Sequence, residues 1–119
     1  MVVTLEGTVR VDEMHQFVEQ SVAAIRDLAQ LGKGVRSLAD LRQFRTTSPE
    51  ATDILRQGQA AAMKAGMTRI AELVSSEVAT LQLNRIARAS GMDRILRRFN
   101  DEAEARRWLL EEGEHADVA

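Results

Sequence analysis

The hydroxyl and guanidinium side chains of this chain gather at three places, and those places bound the chemistry it can do. One group is Arg42, Arg45, Thr46, Thr47 and Ser48; a second is Ser75 and Ser76; a third is Arg97, Arg98 and Asn100. Hydroxyl caps beside guanidinium groups favour an anion, whether phosphate, carboxylate or an acidic partner. Two readings of the set stand side by side. It is a partner- or anion-binding rim, or it is a set of helix caps with solvated arginines, since capping alone accounts for each serine. Catalytic signatures are missing. Gly32-Lys33-Gly34 lacks the third spaced glycine and the helix start of a dinucleotide or phosphate loop, and reads as a helix end followed by a strand. His15 and His115 have no second histidine or inward carboxylate at ligand spacing, so neither a metal nor a cofactor is expected. Nor is there a Gly-x-Ser-x-Gly elbow. Asp12 and Glu13 are adjacent, but Lys33 and Lys64 stand in the wrong places for a receiver-type phosphorylation site. With no acid–base pair in view, the chain reads as a binder rather than an enzyme.

Composition narrows the partners. The 119 residues and 13.2 kDa suit one domain with its own core. Sixteen Lys and Arg against eighteen Asp and Glu leave a net charge of -2, which offers no global attraction for nucleic acid. The four aromatics, Phe17, Phe44, Phe99 and Trp108, are too few for a base-stacking platform. Cysteine is absent, so disulfides and thiolate chemistry are excluded. No apolar run approaches the roughly 20 residues of a membrane span. The N-terminus, with Glu6 interrupting its apolar residues, lacks the pattern of a signal peptide, and a cytoplasmic location is expected. Arg85 to Arg107 holds seven Arg and four acids, a local charge of +3, whereas residues 113–119 form an acidic tail outside the domain at 1–112.

The elements that must position the three groups follow from hydrophobic period. Val3, Leu5, Gly7, Val9 and Val11 alternate with polar residues and predict a strand. Asp12 opens a helix whose inward stripe is Met14, Phe17, Val18, Ile25, Leu28 and Ala29, ending near Gly32 or Gly34. Val35 to Leu41 is a second strand. Ser48-Pro49-Glu50 combines a capping hydroxyl, Pro at the first helical position and an acid in the positive first turn. That second helix stops at Gly66. Arg69 to Val74 reads as a strand, Ser75-Ser76-Glu77 as the cap of a helix ending at Gly91, Ile95 to Phe99 as a fourth strand, and Asn100-Asp101 as the start of a helix carrying Ala105, Trp108 and Leu109 inward. The order βαβαβαβα predicts an α/β fold: a single, mostly parallel four-stranded sheet flanked by helices. Strand carboxyl ends and following helix N-termini share one rim of such a sheet, where ligands usually bind. The three polar groups fall on that rim.

In order along the chain, these segments resemble STAS domains, and in particular their SpoIIAA-like (STAS/SEC14-type) branch. Leu5-Glu6-Gly7-Thr8-Val9 before an amphipathic helix resembles the STAS opening, and Leu38-Ala39-Asp40-Leu41 the central strand. Lys64-Ala65-Gly66-Met67 before Arg69-Ile70-Ala71-Glu72-Leu73-Val74 resembles the next helix end and strand. Phe99-Asn100-Asp101 followed by Ala105-Arg106-Arg107-Trp108-Leu109 is similar to the SpoIIAA-like ending. The resemblance covers about residues 3–112. It implies a non-catalytic, anti-sigma factor antagonist-like regulatory module with a protein partner, or alternatively a binder of a small anion or lipid-like molecule. STAS domains usually carry another N-terminal strand, so the first strand here has an edge that a second copy could cover, and a homodimer is expected. Their phosphorylatable serine falls, depending on register, on Ser48, Pro49 or Glu50. Ser48 would be occupied as a cap and Glu50 would be a fixed negative charge, so the usual phosphoserine switch is not expected.

Overall fold

The computed structural model describes residues 1–111. The expected acidic tail, residues 113–119, lies outside them. Four strands, β1 (Val2–Thr4), β2 (Val35–Asp40), β3 (Met67–Leu73) and β4 (Leu96–Phe99), form one sheet in the order β1-β2-β3-β4, every pair parallel. Helices α1 (Val11–Ala29), α2 (Pro49–Ala65) and α3 (Glu77–Ser90) connect them, a 3-10 turn (Met92–Arg94) leads into β4, and α4 (Glu102–Leu110) closes the described chain. The expected α/β architecture is therefore the observed one.

Helix limits follow local chemistry. Ser48 and Ser76 accept hydrogen bonds from the amides of Ala51 and Ala79, at 3.1 and 3.2 Å, and Asp101 caps α4 through the Ala103 amide at 3.0 Å. Gly91, at φ 87°, ends α3 in the left-handed conformation that glycine tolerates best.

Two local expectations change. The first strand ends at Thr4, not Val11, and the helix begins at Val11 behind Arg10, whose amide donates to Glu13 Oε1 at 2.9 Å. Between them the chain leaves the sheet through Gly7, at φ 70°, although Leu5 and Val9 remain buried. Alternation reported which residues face inward, but a buried loop can alternate as well as a strand. Leu28 is also displaced from the expected inward stripe and is 40% exposed, while its neighbour Ala29 packs against the core.

Sequential parallel strands joined by right-handed crossovers place all three connecting helices on one face. The main core, including Met14, Ile25, Ala39, Leu55, Ile70 and Leu83, lies between that face and α1, α2 and α3. α4 covers the other face, where Leu38, Ala71, Leu73, Ala105 and Trp108 form a second, smaller cluster. The carbonyl end of α4 is held by two sheet arginines. Arg36 donates to the carbonyls of Leu109 and Glu111 at 2.6 and 2.7 Å, and Arg69 to that of Trp108 at 2.8 Å. Cations at this end also complement the helix dipole.

α1 and α2 pack tightly at Gly58, where a Cβ would lie 2.5 and 2.7 Å from the two γ-methyls of Val18. Alanine gains about 1 kcal/mol of helix propensity over glycine. The stiff valine cannot turn both methyls away, and overpacking costs about 1–3 kcal/mol. We expect Gly58→Ala to lower stability by up to about 2 kcal/mol in urea unfolding; a stabilised variant would contradict the close packing.

Candidate functional site

The rim is built by two loops that follow the central strands. After β2, Leu41 and Phe44 bury their side chains and pin the segment that carries Arg42, Arg45 and Thr46. The Gly7 amide donates to Gln43 O at 2.8 Å and the Arg45 amide to Gly7 O at 3.0 Å, tying this loop to the one before α1. α3 fastens it from the other side. Gln82 accepts from the Thr47 amide at 3.3 Å and donates to Thr47 O at 3.2 Å, while Thr47 Oγ1 donates to Val9 O. After β3, Ser75 Oγ donates to Arg42 O at 2.8 Å. A backbone pinned at this many points presents its side chains in a fixed arrangement.

A cleft of about 380 Å³ opens between these loops, bounded by Arg42, Gln43, Arg45, Thr46, Ser76 and Val78. Four of the ten residues expected on the rim thus share one depression. Arg42 is already neutralised: it makes a two-pronged contact with Asp40 at 3.0 and 2.8 Å and lies 3.6 Å from Glu102. Hydrogen bonding to Arg42 holds the Asp40 carboxyl below the usual carboxylate range. Arg45 is exposed and, among the described residues, meets no carboxylate. It is the cleft's uncommitted charge.

The remaining expected residues are placed otherwise. Thr47, Ser48 and Ser75 use their hydroxyls within the fold, as bonded above. Arg97 lies over the Phe99 ring, 5.5 Å from its centroid, on the α4 side of the sheet, and Asn100 is exposed beyond β4. Arg98 departs most from expectation. Its guanidinium turns under α3, donating to Glu72 Oε1 at 3.0 Å and to Asn84 Oδ1. Alternation along β4 decides this, because Arg98 pairs in register with Glu72 and shares its inward face.

Glu72 and the Gln82 clamp were not singled out by sequence reading. An acid inside the apolar run Ile70-Ala71-Glu72-Leu73-Val74 was the available signal for Glu72; nothing local marks Gln82, whose partner is 35 residues away. Glu72 also borders a pocket of about 70 Å³ between the sheet and helices α1 and α2, lined by apolar side chains such as Val3, Phe17 and Ile25 and by Ser37 and Gln59. The Ser37 hydroxyl is buried there without a hydrogen-bond partner. Among the described residues, no group of three or more His, Asp and Glu is arranged to hold a metal ion, and no helix is long and apolar enough to cross a membrane.

The structure thus presents a parallel α/β sheet whose carboxyl-end rim is pinned by backbone hydrogen bonds and hydroxyl caps. A model of the SpoIIAA-like family matches residues 1–110, nearly the whole chain, and the chain belongs to that family within the STAS superfamily. Its members are generally non-catalytic regulatory and interaction domains. No curated protein and no solved structure matches the chain.

Burial pushes the Glu72 carboxyl up to about 7, against the lowering pull of Arg98. In the unfolded chain the group titrates near 4.5. The folded state therefore binds an extra proton between these values, so this contribution is complete below the lower one and is lost as pH rises through the higher. Urea midpoints measured from pH 5 to 8 should fall for the wild type and change less for Glu72→Gln; parallel profiles would contradict the assignment.

Proposed function

We propose that this chain is a regulatory module, similar to anti-sigma factor antagonists, that docks a partner protein through the cleft at the carboxyl end of its sheet and the adjoining start of α2, and that it acts in the cytoplasm. The observation that carries the reading is the pairing of a rigid rim with a single open cation, Arg45, in a cleft without catalytic groups. Recognition is done by a fixed surface, and no bond is made or broken. The module works without a phosphoserine switch: Ser48 Oγ is engaged as the cap of α2, and Glu50 already supplies negative charge in its first turn. The free outer edge of β1 supports a homodimer, with a second copy extending the sheet. A monomer mass by light scattering at tens of micromolar would refute the dimer.

Affinity capture from native lysate tests the main reading. Wild type should retain a specific partner, Arg45→Glu should lose it, and Ser48→Ala should keep it while losing about 1 kcal/mol of stability with its cap. Absence of a partner, or identical partners for wild type and Arg45→Glu, would reject the reading.

A second reading, binding of a small anionic or lipid-like molecule, rests on the small pocket beside Ser37 and Glu72. Its volume suits a few heavy atoms with a polar end, not a long acyl chain. A thermal-shift screen with phosphates, nucleotides and short- and long-chain fatty acids separates the two. A ligand at 100 times its Kd stabilises by about 2.7 kcal/mol, and uniformly flat shifts would retire this reading.

A further inference from the structure

The pocket between the sheet and helices α1 and α2 holds one polar group that the fold leaves unused. Its walls are mostly hydrocarbon, and its polar lining is Ser21, Ser37, Gln59 and Glu72. Gln59 Oε1 accepts from Ser90 Oγ at 2.7 Å, and Glu72 Oε1 accepts from Arg98 at 3.0 Å. Ser37 is 1% exposed, yet its hydroxyl meets no hydrogen-bond partner among the described residues. A buried hydroxyl left unpaired is costly, because water bonds it in the unfolded chain.

The sheet places that hydroxyl beside a carboxyl group. Ser37 pairs in register with Ile70, and Ala39 with Glu72, so Ser37 and Glu72 lie on adjacent strands, two positions apart on the same face. The pocket also has a direction. Its half-buried lining residues, Met1, Val3, Phe17, Val18, Ser21 and Val22, all belong to α1 or to β1 and the residue before it, and the rest of the lining is buried. It therefore opens between β1 and α1. Ser37 lies one strand further in and Glu72 two, at the closed end.

Charge and size define what fits. Glu72 is the one titratable residue in the lining, and it is already paired with Arg98. A ligand carboxylate would meet Glu72 with no cation of its own, and an ammonium would be a third charge beside a completed pair. Either is expensive where water is excluded. A dry cavity of about 150 Å³ holds benzene. A pocket of about 70 Å³ thus takes roughly three or four heavy atoms, and a longer chain continues through the mouth.

We propose that this pocket binds a small uncharged alcohol, its hydroxyl leading inward to Ser37 and Glu72 and its hydrocarbon trailing past Phe17 and Val22. A hydroxyl both donates and accepts, so it can donate to the Glu72 carboxylate while accepting from Ser37; a ketone oxygen can only accept. The proposal rests on the ligand-binding reading and narrows it from anionic or lipid-like molecules to neutral ones.

The test is a titration of the isotope-labelled full chain, followed by amide chemical shifts at about pH 8. That lies above the value of about 7 to which burial raises the Glu72 carboxyl, so the group is ionised. The probes are 1-hexanol, 2-hexanone and hexanoate. 1-Hexanol should shift the amides of Ser37, Ala39 and Glu72 saturably. Hexanoate should bind at least about tenfold more weakly, and 2-hexanone about fivefold more weakly for its missing donor. Ser37→Ala should fold, since it removes a hydroxyl that bonds nothing in the fold, and should weaken 1-hexanol about fivefold. If that variant does not fold, the three probes on wild type decide alone. Equal binding of 1-hexanol by folded Ser37→Ala, or shifts confined to the rim around Arg45 and Ser76, would overturn the proposal. So would a water held at Ser37 that 1-hexanol does not displace. Hexanoate binding as well as or better than 1-hexanol would overturn the neutral ligand and leave the ligand-binding reading standing. No saturable shift with any probe up to its solubility would retire both.

Discussion

Strand order is the constraint on which the rest of the structure depends. Parallel strands added one after another, β1-β2-β3-β4, with right-handed crossovers, commit α1, α2 and α3 to one face of the sheet. Nothing in a crossover can then cover the opposite face. The chain solves this with α4, which follows β4, the last strand among the described residues. Because that helix has only nine residues, its attachment is concentrated: Trp108 fills the apolar cluster, and Arg36 and Arg69 reach from the sheet to hold its last carbonyls. Arg69 is almost wholly buried and lies 5.3 Å from the centre of the Trp108 ring, so one side chain serves packing, charge and helix termination together.

The same order explains where polar groups are tolerated inside. β2 and β3 are central and covered on both faces, so polar residues in their middle, Ser37, Arg69 and Glu72, are buried. Glu72 is answered by Arg98 from the neighbouring strand, one register position across. A buried pair of this kind adds little net stability, because desolvation offsets much of the attraction, but it disfavours slippage between β3 and β4, which would strand both charges. Ser37 has no such answer: its hydroxyl lines a small pocket without a hydrogen-bond partner.

Function follows from what lies outside this arrangement. The rim loops are pinned by Phe44, Gly7 and Gln82, and the cleft beside them carries Arg45, which meets no carboxylate among the described residues. A regulatory module needs little more than such a rigid, chemically marked face, and the SpoIIAA-like membership agrees with that economy.

Much of this was legible in order along the chain. Ser48-Pro49, Ser76 and Gly91 are local signals, read by the few residues beside them, and the caps and helix ends fall where those signals stand. The βαβ alternation carried the fold class because period 2 and period 3.6 are themselves local. Leu5 to Val9 shows the limit: alternation reveals an inward face, but whether the segment pairs as a strand depends on how far its neighbour extends. The candidate site shows it again. Residue type and rim position nominated Arg42, Arg45 and Arg98 alike. Only the tertiary structure decided that Arg42 is closed by Asp40, that Arg98 turns inward to Glu72, and that Arg45 stays open, because each outcome depends on a partner's placement and not on the arginine itself. The sequence by itself determined most of the elements and the set of candidate side chains; packing across the sheet decided which of those side chains stay open.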